Sequence, residues 1–337
     1  MSADHRFVVV GSGSAGRRHA LALRHLFPTA PIVLVKRSST FQPLDSLRNA
    51  DIRVVDSLDE ATRTAPTFCV IASPATLHFT DLKVMSKNCL KFLLEKPIAA
   101  DSIDGRRLVE LAGSRNLGIS IGHHLRFSET PLVFRDQILR RSVSGLRTLR
   151  LAYGQHLRHW RPSVQPELTV TARKDLGGGV LRELSHEIDA ALLLSGSLHE
   201  VRHAHLSHTG APTDGLVDTV ADFILTSDDM DVNIHLDMTS DVPYRMWEAV
   251  FEDVSIHADL LAGTVTRVDA DGQTRLLHES EPGERDRAGV SLMRAALGIG
   301  DDDDRFPCDI HQGLRILNTI EAVEESAASG KPVAIRE

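Results

Sequence analysis

The stretch FVVVGSGSAG, residues 7–16, joins a run of strand-forming residues directly to three spaced glycines. A helical pattern follows over residues 17–27, and Pro28 ends it. Three spaced glycines are a weak signal alone, but a preceding strand and a following helix supply the context that a phosphate-binding turn requires. The stretch therefore predicts the first strand, turn and helix of a dinucleotide-binding domain.

Each glycine has its own physical role in such a turn. Gly11 permits the tight turn, Gly13 lets the backbone approach a pyrophosphate, and Gly16 allows the helix to pack closely on the strand. The first turn of the helix adds N–H groups without intrahelical partners and the positive end of the helix dipole. We therefore predict that the cofactor is bound by the whole turn, namely Gly11, Ser12, Gly13, Ser14, Ala15 and Gly16.

The strand pattern recurs five more times, with helix-like segments between the strands. The predicted strands are 32–35, 52–55, 67–71, 91–94 and 118–121. This alternation is typical of an α/β fold with a doubly wound parallel sheet, here an N-terminal Rossmann domain. The pattern changes after Gly122, so the predicted NAD(P)-binding domain is 1–122.

The residues after the second strand bear on the choice of cofactor. A carboxylate that would bind the ribose 2′-hydroxyl of NAD is expected about twenty residues beyond the glycines. Lys36 stands there instead, followed by Arg37 and Ser38. With Ser39, these residues offer two cations and two hydroxyls, which suit the extra phosphate of NADP, although the same residues also suit a solvated basic turn. We therefore predict that NADP is the preferred cofactor and that NAD is possible.

A second chemical signal follows the strand 91–94, which continues into Glu95, Lys96 and Pro97. A lysine is rarely buried without a partner. Ligands of an open α/β sheet bind at the carboxyl ends of its strands. Lys96 is therefore either a solvated strand end or a group that acts on the substrate.

The rest of the chain, residues 123–337, has a different pattern. Helices are predicted over 129–141 and 310–326, and strand-like segments dominate between them, with a hairpin turn at 227–229 and a solvated acidic loop at 301–304. These features predict a C-terminal α+β domain with an open, mostly antiparallel sheet. An uncovered sheet face takes helices or a second copy of the chain. A homodimer or homotetramer through this face is the predicted assembly.

The glycines 177–179 open a predicted helix that carries four polar residues on one face, Arg182, Glu183, His186 and Asp189. His186 is a candidate acid/base, because imidazole titrates near neutral pH. A single helical histidine can also be structural. The glycines and the upstream cofactor domain favour the catalytic interpretation.

The composition excludes several classes of function. A formal net charge of −8 argues against nucleic acid as the main partner and against a polybasic membrane patch. Cys69, Cys89 and Cys308 form no C-x-x-C pair, and neither a signal peptide nor a membrane-spanning run is predicted, so a cytoplasmic location is expected. His203 and His205 share a strand face but have no carboxylate or cysteine partners at ligand spacing. We therefore predict no metal site.

Together these motifs resemble the Gfo/Idh/MocA family, which comprises glucose–fructose oxidoreductase, inositol dehydrogenase and rhizopine-catabolism proteins. The resemblance extends over nearly the whole chain. The stretch from Tyr153 to Lys174 is similar to a branch associated with sugar or nucleotide-sugar pathways. The matching stretches are 11–16, 73–78, 95–97, 122–127, 160–162, 177–189 and 330–333.

The resemblance implies a role for particular residues. Lys96 would hydrogen-bond the reacting oxygen, with Pro97 in a cis peptide, and His186 would exchange the hydroxyl proton. Further cofactor-binding residues are Ser73, Pro74, His78, Glu95, Lys96, Trp160 and Arg161. The predicted substrate-binding residues are Lys96, Arg126, Tyr153, Arg173, Arg182 and His186.

One position departs from the family pattern. Many members carry an Asp four residues before the histidine, where this chain has Arg182. Glu183 is the nearest carboxylate. Either Glu183 supports His186 in catalysis, or Arg182 binds an anionic group of the substrate.

These observations predict an NAD(P)-dependent oxidoreductase. Hydride would pass between nicotinamide and a secondary alcohol or ketone of a sugar, nucleotide-sugar or cyclitol-like substrate. One alternative is an enzyme that uses a tightly bound cofactor as a transient redox relay for elimination or glycoside cleavage. Another is a cofactor-sensing regulator on the same fold, which would need neither Lys96 nor His186.

Overall fold

The structure, a computed structural model, describes residues 5–37, 47, 50–160, 164–196, 198–227, 230–299 and 307–336. The chain forms two compact units. The first domain comprises Met1–Phe127 and Arg285–Leu314, and the second comprises Ser128–Glu284 and Arg315–Glu337. The boundary predicted from the sequence, at residue 122, assigns all later residues to the second domain. In the structure, Arg285–Leu314 belongs to the first domain.

Strands are numbered in chain order. They are β1 Phe7–Val10, β2 Ile32–Val35, β3 Arg53–Val55, β4 Phe68–Ile71, β5 Lys91–Leu94, β6 Gly118–Ile121, β7 Thr148–Gly154, β8 Glu200–Ser207, β9 Val220–Thr226, β10 Asp231–Asp237, β11 Tyr244–Val250, β12 Val254–Asp259, β13 Thr264–Asp269, β14 Thr274–Glu279, β15 Cys308–Asp309 and β16 Val333–Ala334. Helices in the described part of the chain are α1 Ser14–Leu26, α2 Leu58–Thr62, α3 His78–Met85, α4 Ser102–Arg115, α5 Glu129–Leu139, α6 Val180–Glu183, α7 His186–Ser195, α8 Glu284–Leu297 and α9 Ile310–Ser329.

The first domain is built on a seven-stranded sheet in the order β15-β6-β5-β4-β1-β2-β3. The six predicted strands are all present and pair in parallel, which confirms the doubly wound sheet. Strands β1, β2 and β4 are buried along their whole length, as expected for a parallel sheet covered on both faces. The seventh strand, β15, pairs antiparallel with β6 and has only two residues, too few to give a sequence pattern.

The strand register brings the chemically important segments to one edge of this sheet. Val10 at the end of β1 lies opposite both Val35 and Ile71, and Ile71 lies opposite Leu94. The residues that follow β1, β2, β4 and β5 therefore all emerge at the carboxyl edge, where an open α/β sheet receives its ligand.

The second domain contains a nine-stranded sheet in the order β14-β13-β12-β11-β7-β10-β9-β8-β16. Its neighbours are antiparallel except for the parallel pair β7 and β10, so the prediction of a mostly antiparallel sheet is confirmed. Buried and half-buried residues alternate along β12. Helix α5 packs against β12–β14, and α7 packs against β7 and β10. The oligomeric state stays a prediction.

Several predicted elements need correction. The segment that begins at Val180 is not one helix, because α6 ends at Glu183 and α7 begins at His186. The predicted single helix through Arg182, Glu183, His186 and Asp189 is therefore wrong. Helix α1 begins at Ser14 rather than Arg17, and α8 was not predicted. Residues 228–229 and 301–304 lie outside the described residues. No described helix is both long and apolar enough to cross a membrane.

Candidate active site

The glycine turn has the geometry that its sequence predicts. Gly11 has φ +112°, and a Cβ atom there would lie 2.3 Å from the carbonyl oxygen of Ala72, which follows β4. A Cβ at Gly16 would lie 2.0 Å from the carbonyl oxygen of Gly11. Both contacts are with backbone, which cannot move aside cheaply. Larger residues are therefore excluded at these two positions.

The N-terminus of α1 has the features of an anion site. Gly13 precedes the helix, and no side chain caps it. Apart from its neighbours in the chain, a Cβ at Gly13 would meet no atom of the described residues within 4 Å, so among these residues the space around Gly13 is open. Free N–H groups, the helix dipole and this open space suit a pyrophosphate. The residues present thus fit a dinucleotide, and 11–16 would hold its phosphates.

The two cations predicted to bind the 2′-phosphate have carboxylate partners. Lys36 Nζ lies 3.6 Å from Asp56 Oδ1, and Asp56 is largely exposed. Arg37 Nη2 lies 2.9 Å from Oδ1 of Asp81, whose side chain is completely buried. Burial raises the pKa of Asp81, although the Ser73 hydroxyl and the Arg37 guanidinium oppose this effect. Breaking the Lys36–Asp56 pair leaves an exposed carboxylate, whereas breaking the Arg37–Asp81 pair leaves a buried one. Lys36 can therefore turn to a phosphate at a lower cost in free energy than Arg37. Ser38 lies outside the described residues.

The turn after β4 is fixed by a buried histidine. His78 Nε2 lies 2.8 Å from the carbonyl oxygen of Ser73, and Nδ1 lies 3.0 Å from that of Ile98. Burial lowers the pKa of His78 by more than these two carbonyl groups raise it. A neutral imidazole has one N–H group, so one contact is a hydrogen bond and the other a close approach. His78 thus ties this turn, with Pro74, to the segment that follows Pro97.

The Glu95–Lys96–Pro97 segment leaves the carboxyl end of β5, and the Lys96–Pro97 peptide is cis, as the resemblance implies. Glu95 Oε1 lies 2.6 Å from His19 Nε2, and Oε2 accepts the backbone N–H of Lys96 at 3.1 Å. Burial works against the charge on Glu95. Even so, the hydrogen bond from His19 and the positive charges of His19, Lys96 and Arg18 hold the pKa of Glu95 well below its usual range.

In the second domain, the triple-glycine turn is closely packed. A Cβ at Gly178 would lie 2.3–2.8 Å from three backbone carbonyl oxygens, and one at Gly179, where φ is +119°, would meet Asp218 Oδ1 at 2.2 Å. Asp218 Oδ2 accepts the backbone N–H of Leu181 at 2.8 Å. The glycines therefore allow the buried Asp218 to hold the first turn of α6, directly before the segment that carries His186.

His186 follows two charged residues of α6, Arg182 and Glu183, in the chain. His186 is buried at the first position of α7. Glu183 Oε2 accepts a hydrogen bond from the Thr171 hydroxyl at 3.2 Å. Arg182 is buried, and its guanidinium donates to both carboxylate oxygens of Glu324, at 2.6 and 3.2 Å. A substrate anion would have to compete with Glu324 for Arg182, which favours a structural role for that arginine.

We expect Arg182→Met to lower the free energy of unfolding by roughly 2–3 kcal/mol at neutral pH, because Glu324 loses both hydrogen bonds while still largely buried. Burial opposes ionisation of Glu324, but Arg182 and Lys174 hold its pKa below its usual range. A lowered carboxyl pKa stabilises the fold above the unfolded-state value, and this stabilisation is lost as pH falls through the folded-state value.

Urea unfolding of the parent and Arg182→Met at several pH values measures this loss. The difference should be largest near pH 7 and shrink below about pH 4. The exposed ion pair of Arg202 with Asp231 offers a matched control, since Arg202→Met should cost at most about 1 kcal/mol. Equal losses in the two variants would contradict a structural role for the Arg182–Glu324 pair.

Four further residues were predicted to bind the cofactor or the substrate, and three of them lie in the described part of the chain. Arg126 Nη1 donates to Gln312 at 3.0 Å within the first domain. Arg173 is half-buried and pairs with Asp175, which compensates the charge of its guanidinium group. Trp160 Nε1 donates to the carbonyl oxygen of Gln155 at 3.0 Å. Arg161 lies outside the described residues.

The structure also reveals a cluster that the sequence did not indicate. Tyr153 and Trp160 lie with parallel rings 6.4 Å apart, and the Arg245 guanidinium stands 4.5 Å from the centre of the Tyr153 ring. Arg245 Nε donates at 2.6 Å to Glu187, whose side chain is completely buried. The cluster joins β7 and β11 to α7 beside His186. Tyr153 and Trp160 were predicted through the resemblance, but Arg245 had no sequence signal.

Comparison with known proteins supports the assignment of the first domain. Residues 5–123 match the Gfo/Idh/MocA oxidoreductase family, described as having an NAD-binding Rossmann fold. The chain is 26% identical over 148 residues to scyllo-inositol 2-dehydrogenase (NADP(+)) IolW of Bacillus subtilis, which is 43% of this chain and 40% of IolW. An uncharacterized oxidoreductase of Streptococcus pneumoniae is also 26% identical, over 44% of this chain and 39% of its own length. The chain thus matches about two fifths of the length of these relatives.

Solved structures resemble the chain over nearly its full length. An NAD-binding oxidoreductase from Klebsiella pneumoniae has a TM-score of 0.82 and 17% identity, covering 99% of this chain and 100% of its own. GenD2 from gentamicin A biosynthesis, solved with NAD, has a TM-score of 0.80 and 20% identity, covering 100% and 98%. Levoglucosan dehydrogenase with NADH has a TM-score of 0.79 and 17% identity, covering 99% of each chain. At these identities the likeness establishes the shared fold.

Proposed function

We propose that this chain, whose first domain belongs to the Gfo/Idh/MocA oxidoreductases, is an NADP-dependent dehydrogenase or ketoreductase. The substrate would be a secondary alcohol or ketone of a sugar, nucleotide sugar or cyclitol. The observation that carries the proposal is the shared sheet edge of the first domain. The candidate anion site at Gly13 and the ammonium-bearing Lys96 both follow strands that end at that edge.

The chemistry proposed for the chain's own residues is hydrogen bonding and proton transfer. Nicotinamide, when bound, supplies or accepts the hydride. Lys96 would donate a hydrogen bond to the substrate oxygen and stabilise the negative charge that develops there. His186 would take the hydroxyl proton during oxidation and return it during reduction. Glu183 would assist His186.

The substrate class is supported by the names of similar proteins. IolW is named as a dehydrogenase of scyllo-inositol. Two structural neighbours are named as acting on levoglucosan and on UDP-N-acetylglucosamine. All three names denote ring compounds rich in secondary hydroxyl groups. We therefore extend that chemical class, and no single substrate, to this chain.

A substrate screen tests the proposal directly. Purified protein is incubated with NADP(H) or NAD(H) and a panel of sugars, nucleotide sugars and cyclitols, and absorbance of the reduced nicotinamide is followed. Substrate-dependent oxidation or reduction of the cofactor is expected. Product formation without net cofactor change would favour the redox-relay alternative. Cofactor binding without any turnover would favour the regulator.

We expect NADPH to bind more tightly than NADH by about ten- to thirtyfold, since the exposed Lys36–Asp56 pair is weak enough for Lys36 to turn to the extra phosphate. Fluorescence titration with both cofactors measures the ratio. Lys36→Met should reduce the ratio to below about threefold, while the exposed Lys87→Met serves as a control of equal charge. An NADH preference in the parent would contradict the assignment.

A further inference from the structure

His19 is a buried residue that the proposed chemistry does not use. It lies in α1, three residues beyond Gly16, and is 6% exposed. Its Nε2 atom is 2.6 Å from Glu95 Oε1. An ionised carboxylate only accepts hydrogen bonds, so His19 Nε2 carries the proton in this contact. The contact joins the helix that begins at the glycine turn to the segment that carries Lys96.

Glu95 is held on several sides. Its side chain is 12% exposed, and its second oxygen, Oε2, accepts the backbone N–H of Lys96 at 3.1 Å. Gly122, at the end of the adjacent strand β6, leaves the necessary room, because a Cβ there would come within 2.9 Å of that oxygen. The carboxylate therefore has little freedom to move. The hydrogen bond to Oε2 ties this carboxylate to the backbone of Lys96.

We propose that His19 is a positioning residue for Lys96 and acts through Glu95. The position of α1, whose N-terminus would bind the pyrophosphate, is transmitted by this hydrogen bond to the backbone at Lys96. Cofactor binding and placement of the ammonium group are thereby coupled. The inference rests on the proposed function, in which Lys96 acts on the substrate oxygen while the cofactor is bound.

Two substitutions of His19 by amide side chains test whether the hydrogen bond to Glu95, rather than any polar group at this position, holds Lys96 in place. In His19→Gln the side-chain amide nitrogen reaches about as far as His19 Nε2, so the hydrogen bond to Glu95 is kept. In His19→Asn the amide is one methylene shorter and cannot reach. His25→Asn, on the exposed side of the same helix, is the control for an asparagine in α1.

The first readout does not depend on activity. Lysines are modified with trinitrobenzenesulfonate with and without NADPH, and the Lys96 peptide is quantified by mass spectrometry. NADPH should protect Lys96 about tenfold in the parent, His19→Gln and His25→Asn, but less than about twofold in His19→Asn. Circular dichroism confirms the fold of each variant, and fluorescence titration confirms saturation with NADPH.

The second readout is the division between kcat and cofactor affinity, once a substrate is found. His19→Asn should lower kcat by about ten- to a hundredfold, the scale expected for displacement of a reacting group by about 1 Å. Its Kd for NADPH should change less than about threefold. His19→Gln should recover most of kcat, which a purely structural role for His19 would not predict.

Each outcome decides between the two proposals. No protection of Lys96 in the parent would contradict the placement of Lys96 in the proposed function, and with it this inference. Protection in the parent that persists fully in His19→Asn would overturn the inference alone. Should His19→Asn fail to fold, Glu95→Leu, which removes both acceptor oxygens at similar size, must show the same loss of protection.

Discussion

Replacing Lys96 with methionine should lower kcat by about a hundredfold or more. This is the usual scale for loss of a positioned group that stabilises a developing oxyanion or transfers a proton. Methionine keeps much of the aliphatic stem and deletes the ammonium group. Affinity for NADPH should change little, because the phosphates are assigned to residues 11–16.

Both quantities should be measured on the same protein, kcat with a substrate from the screen and Kd by NADPH fluorescence. Lys91→Met is a matched control, because Lys91 is the exposed first residue of the same strand, β5. It should leave kcat within about twofold of the parent. Turnover by Lys96→Met near the parent rate would make Lys96 a solvated strand end and disprove the mechanism.

Gly178→Ala should destabilise the second domain by about 3 kcal/mol or more. The new Cβ would lie 2.3, 2.5 and 2.8 Å from the carbonyl oxygens of Val170, Thr171 and Arg173. All three are backbone atoms, so relief of the overlap requires movement of the main chain. Movement of this turn would also displace α6, and we expect activity to fall with stability.

Gly113→Ala is the matched control for this substitution. Gly113 lies inside α4, and a Cβ there would meet no atom within 4 Å. Alanine should therefore stabilise that helix by about 0.5–1 kcal/mol. Urea unfolding of both variants, followed by circular dichroism, measures the two changes. Similar stability of Gly178→Ala and the parent would show that the turn adapts.

The proposed roles also separate variants that weaken binding from those that slow chemistry. Lys36→Met should change the ratio of NADPH to NADH affinity, because Lys36 would contact only the extra phosphate. Lys96→Met and His19→Asn should lower kcat with little change in Kd. Arg182→Met should act chiefly on stability. Four single substitutions thus test four different statements about the molecule.

The fold of the first domain could be predicted because the sequence signals for it lie within short segments of the chain. Each strand of the parallel sheet is a short apolar run, and each glycine of the turn 11–16 is required by the backbone within a few residues. The parallel sheet and the glycine turn follow from these signals, whereas the strand order was read from the structure. The small strand β15 and the return of Arg285–Leu314 to this domain do not, because both depend on chain that is distant in sequence.

The break between α6 and α7 shows the limit of periodicity. Residues 180–189 have helical spacing throughout, so the sequence predicts one helix with His186 and Arg182 on a common face. In the structure α6 ends after four residues, and its start is held by Asp218, which is 37 residues away from Leu181. The position of the break is not encoded in the local spacing of apolar and polar residues.

The sequence by itself determined the fold class and the glycine turn, and it made Lys96 and His186 candidates for catalysis, since all of these depend on residues close together in the chain. Only the tertiary structure paired His19 with Glu95, Arg37 with Asp81, and Arg182 with Glu324. The physical reason is that burial of a charge demands a partner. That partner can come from any segment that folding brings within hydrogen-bond distance.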